Sequence, residues 1–281
     1  MIWRIYPVLL AILVSLLASV PALGQKLELT DQEQQWLASH PKIRVGVMDN
    51  WAPFSFTTKG GEAQGLGIDY IEAINRQLGG VLLVQPGRFK DNYDLVLAGR
   101  LDAMMDLTNR PERESLFIFT RPYISIPHVL VGRKSGPFFA SEADLAGRTV
   151  ALERGFYNVT HFSKNYPTVA IREYNSTSEA LDAVSRGEAD AYAGNRAVVI
   201  HVIEEDLLNN LRLMGRLENS RSVLQIGVAK DKPLLASILD KALQSIPVSE
   251  HTAIYNRWVG VKYETGIDYS LLWKVVVASL V

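Results

Sequence analysis

The sequence predicts an α/β protein built as two lobes of similar plan. Strand-type and helix-type hydrophobic periodicity alternate along the chain, and the connections between them are short enough for compact βα units. An internal echo adds the second lobe: Val96-Leu-Ala-Gly99-Arg-Leu-Asp102-Ala103 and Val184-Ser-Arg-Gly187-Glu-Ala-Asp190-Ala191 agree at Val, Gly, Asp and Ala. Each copy places a glycine where a helix must stop and launches a strand after Asp-Ala, late in its own run of βα units.

The elements follow in order. Residues 1–24 carry an early positive charge at Arg4, an apolar run from Val8 to Val20 and a small-x-small ending at Ala22-Leu23-Gly24, the marks of a secretory signal peptide. A retained anchor is the alternative, and the run is shorter than the ~20 residues a spanning helix needs. Residues 25–41 form an N-terminal helix and linker: Thr30-Asp31-Gln32-Glu33 is a capping box, and the helix carrying Trp36 and Leu37 ends before His40-Pro41. Ile43 to Met48 alternates as a strand. Ile68, Ile71, Ile74 and Leu78 recur at helical spacing up to Gly79-Gly80, and Val81 to Val84 is the next strand. A helix from Tyr93 to Ala98 stops at Gly99, a short strand spans Ala103 to Asp106, and Ile124 to Val131 is extended.

The second run opens at Asp144-Leu-Ala-Gly-Arg148 before a strand from Thr149 to Leu152, then Gly155 and a helix to about Asn165. A strand from Ala170 to Tyr174 precedes the capping box Ser176-Thr-Ser-Glu179 and a helix ending at Arg186. After the segment Leu211 to Leu217, Val223 to Ala229 alternates as a strand, and Pro233 begins a helix through Leu243. Crossings between lobes near Gly132-Arg133 and Leu224 give a first lobe of 42–131 and 225–262 and a second lobe of 132–224. In 263–281 the apolar run from Tyr269 to Val281 begins with interfacial aromatics, as a juxtamembrane segment and the opening of a transmembrane helix would. Lys274 within it favours the alternative, a packed C-terminal helix.

Composition narrows the function. Without Arg4 the chain keeps 28 Lys and Arg against 30 Asp and Glu, so no extended basic surface for nucleic acid is implied. With no cysteine, disulfides, thiolate metal sites and a cysteine nucleophile are excluded. The five histidines lack metal-ligand spacing, and no nucleophile elbow, phosphate-cradling glycine loop or His-Glu-x-x-His helix occurs, so neither a catalytic residue, a metal site nor a cofactor is expected.

A series of motifs carries a family resemblance from about Ile43 to Trp258: Arg44-Val-Gly-Val47, Trp51-Ala-Pro-Phe54, Gly65-x-Gly-Ile-Asp69, Gly99-x-x-Asp-Ala103, Thr108-x-x-x-x-Arg113, Phe119-Thr-x-Pro-Tyr123, Asp144-Leu-x-Gly147 and Gly187-x-x-Asp-Ala191. In order and spacing they resemble the bacterial extracellular solute-binding proteins of family 3, the Venus flytrap domains. The chain is most similar to the periplasmic sensor domains of BvgS-like transmembrane sensor histidine kinases. The resemblance implies a periplasmic binding protein-like type II fold, two α/β lobes joined by a hinge with the ligand cleft between them. It also implies roles: Arg113 grips the ligand carboxylate, with help from the hydroxyl and backbone of Thr108. A guanidinium suits that place because its planar fork gives two parallel hydrogen bonds and keeps its charge. On spacing alone, a surface arginine paired with Glu112 or Glu114 is the better reading of Arg113, and the resemblance reverses that order. Trp51 falls where the family places an aromatic over the ligand, with lobe core as the alternative, and Asp106 is a rim candidate, more by backbone than by side chain.

In the second lobe the chain departs from the amino-acid binders. Asn195 stands where they carry an acid for the ligand ammonium, and Phe156 and Tyr157 stand where they place small hydroxyl residues. An amide brings no countercharge to a cation. The expected ligand is therefore a small anionic solute, carboxylate or amino-acid-like, with a carboxylate lacking the ammonium group preferred, in a domain that signals through a membrane helix. A free substrate-binding subunit of an importer for amino acids or related solutes is the alternative, followed by an enzyme resembling the cyclohexadienyl dehydratases. The expected partners are the small-molecule ligand, the membrane through the C-terminal segment and a second copy of the chain as a homodimer.

Overall fold

The computed structural model describes residues 26–260. The expected signal peptide and the juxtamembrane segment lie outside the described residues. Among the described residues, no helix is long and apolar enough to cross a membrane.

Helix α1 (Asp31–Ser39) begins with the capping box as read: the Thr30 hydroxyl accepts from the Glu33 N–H, and the Glu33 carboxylate accepts from the Thr30 N–H at 2.8 Å. The same carboxylate accepts from Ser237 and Lys241, both at 2.7 Å, pinning α1 to helix α7 (Pro233–Ser245). The first lobe is built on β1 (Ile43–Met48), flanked in parallel by β5 (Leu82–Gly87) and β6 (Ala103–Thr108); β2 (Asn50–Trp51), β3 (Ser55–Thr57) and β4 (Ala63–Gln64) form a small separate sheet, and β7 (Phe117–Phe119) pairs with the last strand of the main one. Helix α2 (Leu66–Leu78) buries Ile68, Ile71, Ile74 and Leu78 against that sheet and ends at Gly79, whose φ of 78° is the left-handed conformation a C-cap uses. Helix α3 (Phe89–Leu97) starts four residues earlier than its sequence pattern suggests. In the second lobe β9 (Thr149–Glu153) lies between β10 (Ala170–Tyr174) and β11 (Ala191–Asn195), all parallel. Helices α4 (Tyr157–Asn165) and α6 (Arg196–Glu205) follow β9 and β11, and α5 (Thr177–Arg186) follows β10.

Two long strands join the lobes. Strand β8 (Ile124–Arg133) and the 19-residue β12 (Leu211–Ala229) pair antiparallel from Leu211 to Leu224, with register slips between Leu213 and Arg216 and between Arg216 and Arg221, and the sheet runs β10-β9-β11-β8-β12-β6-β1-β5 without a break between lobes. Sequence periodicity divides β12 at Leu217, because the partners slip in register between Arg216 and Arg221 and polar residues fill that stretch. By pairing, His128 to Gly132 already belong with the second lobe, opposite Asn195 to Ala191. The first crossing therefore lies near Pro127, ahead of the Gly132-Arg133 read from the sequence. Gly132 looks like a boundary residue but sits within the paired strand, where an added Cβ would press on the tip of the Met214 side chain. Helix α6 starts at Arg196, where a helix start is expected, and α8 (Val248–Trp258) lies where the sequence carries no strong amphipathic signal.

Candidate functional site

The parallel strands of both lobes end at one cleft, which is where open α/β sheets place ligands. Met48 closes β1 and Thr108 closes β6; from the other lobe come Glu153 at the end of β9 and Asn195 at the end of β11. Helices α3, α4 and α6 start at the same cleft, so three backbone N–H termini add positive potential there.

Arg113 is the centre of the first-lobe wall. Pro111 opens a single 3-10 turn (Pro111–Arg113), and the guanidinium turns inward until the residue is 8% exposed. It donates to the Thr108 carbonyl at 3.0 Å and lies 5.5 Å from the Phe89 ring and 5.7 Å from the Tyr93 ring. Among the described residues no carboxylate comes within 4.0 Å of it, so the surface pairing with Glu112 or Glu114 is not formed. Burial depresses its pKa from the usual arginine value. A buried cation without a countercharge is costly, and the cleft is the place from which a ligand can supply one.

The other expected residues converge on the same cavity. Trp51 is buried against Phe54 and reaches Phe156 of the second lobe, with ring centroids 6.0 Å apart in an edge contact, so it is both core and cleft wall. Its Nε1 is buried without a partner. Phe156 also meets Phe89 at 5.1 Å, and Tyr157 carries the guanidinium of Arg110 3.6 Å above its ring. Asn195 caps α6, its Oδ1 accepting from the N–H groups of Ala197 and Val198 at 2.9 and 3.4 Å; its Nδ2 is buried, unpartnered and at the cleft. Asp106 differs from expectation. It lines the cleft, with φ of 59°, but its backbone N–H donates to the Tyr123 hydroxyl at 2.9 Å and so is not free for a ligand. Its carboxylate accepts from Ser55 and, at 2.7 Å, from Tyr123, and burial raises its pKa to about 6.

Sequence reasoning placed Glu153 among the carboxylates that could meet in a cleft, and it lines this one; Arg110 and His128 were missed. Arg110 precedes Arg113 by one 3-10 turn, a spacing that could have signalled it. Glu153 is buried with Oε1 accepting from Thr177 at 2.5 Å and Tyr192 at 2.7 Å, and burial raises its pKa. Tyr192 reaches it by lying across Gly194, two residues along the same strand face, where any Cβ would collide with the phenol. His128 forms part of the cleft floor, bonded through Nε2 to Ser222 at 2.8 Å and through Nδ1 to Asn158 and Ser220 at 3.2 and 3.0 Å. Burial lowers its pKa to about 4, so it is neutral at pH 7. Among the described residues no group of His, Asp and Glu is placed to hold a metal ion.

Comparison with known proteins is consistent with this geometry. The family model for bacterial extracellular solute-binding proteins, family 3, matches residues 43–261. The virulence sensor protein BvgS of Bordetella bronchiseptica is 27% identical over 231 residues, covering 82% of this chain but 19% of that protein. The ABC transporter arginine-binding protein 1 of Escherichia coli is 27% identical over 233 residues, covering 77% of this chain and 90% of that protein. Among solved structures, the periplasmic VFT2 domain of Bordetella pertussis BvgS superposes with a TM-score of 0.75 at 26% identity, covering 82% of this chain and 99% of that one. The chain thus spans about a fifth of the length of its sensor relatives and most of the length of the transport relative.

Proposed function

The chain belongs to the bacterial extracellular solute-binding proteins of family 3, and on that premise we propose that it is a periplasmic sensor domain that closes on a small carboxylate and passes closure to a membrane helix. The observation that carries the reading is Arg113, a buried guanidinium with no carboxylate beside it among the described residues, facing the cleft between the lobes. Its fork takes one ligand carboxylate, with Trp51, Phe156 and Tyr157 excluding water around it. The aromatic and cation–π contacts across the cleft favour the closed arrangement, so a ligand that bridges the lobes shifts a two-state equilibrium toward it.

No reaction is assigned to the site; its work is binding. The similarity to the virulence sensor protein BvgS and to its periplasmic VFT2 domain supports the sensor and periplasmic readings; tethering to the inner membrane and a second copy as partner belong to the same proposal. The likeness to the arginine-binding transport protein over most of its length supports the importer-subunit alternative. Calorimetric titration with small carboxylates tests the site: binding is expected, and Arg113→Gln is expected to remove it. Equal affinity in wild type and variant would sink the reading. A natural product released freely into the periplasm would replace the sensor with the importer subunit.

A further inference from the structure

Arg110 and Arg113 enter the cleft as a pair. The Arg113 N–H closes a 3-10 turn on the Arg110 carbonyl at 2.8 Å, and with three residues per turn such neighbours come to one side. Among the described residues Arg110, like Arg113, has no carboxylate within 4.0 Å. Its Nη2 donates to the Arg221 carbonyl at 3.2 Å, its plane rests on Tyr157, and its Nε is buried with no partner. Two adjacent like charges, each partly desolvated, exceed what one carboxylate neutralises.

The rest of the lining is donor-rich. Besides Arg110 Nε, the buried donors Trp51 Nε1 and Asn195 Nδ2 have no partner. Both Asp106 oxygens are taken by Ser55 and Tyr123, which leaves Glu153 Oε2 as the free buried carboxyl oxygen of the cleft. Burial favours the proton-bearing form of Glu153, in which that oxygen also can donate. A second carboxylate brings only acceptors to such a surface; an ammonium group would bring donors to face donors. The cavity leaves about 50 Å³ in which the centre of a water molecule can move, so the molecule it admits is a short one.

We propose that the ligand is a short dicarboxylate, one carboxylate held by Arg113 and the other by Arg110, which makes Arg110 a second ligand-binding residue and the one that sets specificity. The proposal rests on the carboxylate reading of Arg113.

The test is calorimetry on the purified protein with malonate, succinate, butyrate and L-aspartate. Succinate differs from butyrate by one carboxylate and from L-aspartate by one ammonium. A dicarboxylate is expected to bind more tightly than both butyrate and L-aspartate. Arg110→Gln is expected to weaken it by about thirtyfold or more, and by at least about tenfold more than it weakens butyrate. Arg110→Lys, which keeps the charge but loses the fork, should fall between, and unchanged thermal melting of the empty variants would confirm that the fold is intact. Butyrate as tight as succinate, L-aspartate tighter than succinate, or an Arg110→Gln variant with wild-type succinate affinity each overturns the proposal while the Arg113 reading stands. Dicarboxylate binding that survives Arg113→Gln, or no binding of any of the four at millimolar concentration, overturns both.

Discussion

Replacing Arg113 by methionine separates a ligand clamp from a structural arginine. The guanidinium is 8% exposed, and taking such an ion from water costs several kcal/mol. Its visible compensation is one charged hydrogen bond to the Thr108 carbonyl, about 1.5–3 kcal/mol, and two ring contacts of about 0.5–1 kcal/mol each. These terms nearly cancel, so Arg113→Met should leave the empty protein within about 1 kcal/mol of wild type. At this size that shifts Tm by about 2–4 °C. The ligand-bound state is different. There a buried charge pair is lost, at about 2–5 kcal/mol, and affinity should fall at least about thirtyfold. Urea unfolding without ligand, beside calorimetry with a binding carboxylate, reads both quantities. A loss of more than about 3 kcal/mol in the empty protein, the cost of breaking a buried structural pair, would refute the reasoning.

Two further outcomes are expected. Asn195→Asp keeps the cap on α6 but turns a donor into an anion, so stability should hold while carboxylate affinity drops about tenfold or more; Asn195→Ala instead loses the cap, about 0.5–2 kcal/mol, which thermal melts would show. The pH dependence of stability contains two opposed contributions. Asp106, raised from 3.8 to about 6, binds its proton more tightly when folded, so its contribution is full below pH 4 and declines as pH rises to about 6, by about 3 kcal/mol. His128, lowered from 6.5 to about 4, is held neutral when folded, so its contribution is full above pH 6.5 and declines by a similar amount as pH falls to about 4. The two largely offset in wild type; in urea midpoints across this range, Asp106→Asn should unmask a rise with pH and His128→Gln a fall. Identical slopes in all three proteins would contradict these environments.

Much of this molecule could be read from its residues, and the unread parts share a cause. Local rules found α1, because Thr30 and Glu33 satisfy each other within four residues, and found β1 and β10, because alternation needs no distant partner. They did not find α8, whose Tyr70, Arg76 and Asp69 contacts come from a helix far away in the chain. The same limit applies to the cleft. Arg113 and Thr108 are five residues apart and their motif is visible. Whether a carboxylate reaches Arg113, whether the Asp106 N–H is already taken by Tyr123, and whether Glu153 joins the lining depend on which strands meet, and periodicity is silent on that. Arg110 is the instructive case: its spacing is local, but its stacking on Tyr157 requires the second lobe to be in place.

Strands β8 and β12 make the connection between lobes part of one hydrogen-bonded sheet rather than a pair of loose tethers. A loose tether leaves two bodies free to wander, and stores nothing. A twisted ribbon resists bending, and its ladder is weakest at the two register slips, Leu213 to Arg216 and Arg216 to Arg221, so a torsion there is the motion that costs this connection least. The strand that flexes there also continues through the first lobe to within four residues of α7. Opening and closing are thereby converted into a twist with a fixed axis, and that directionality is what any attached helix would feel.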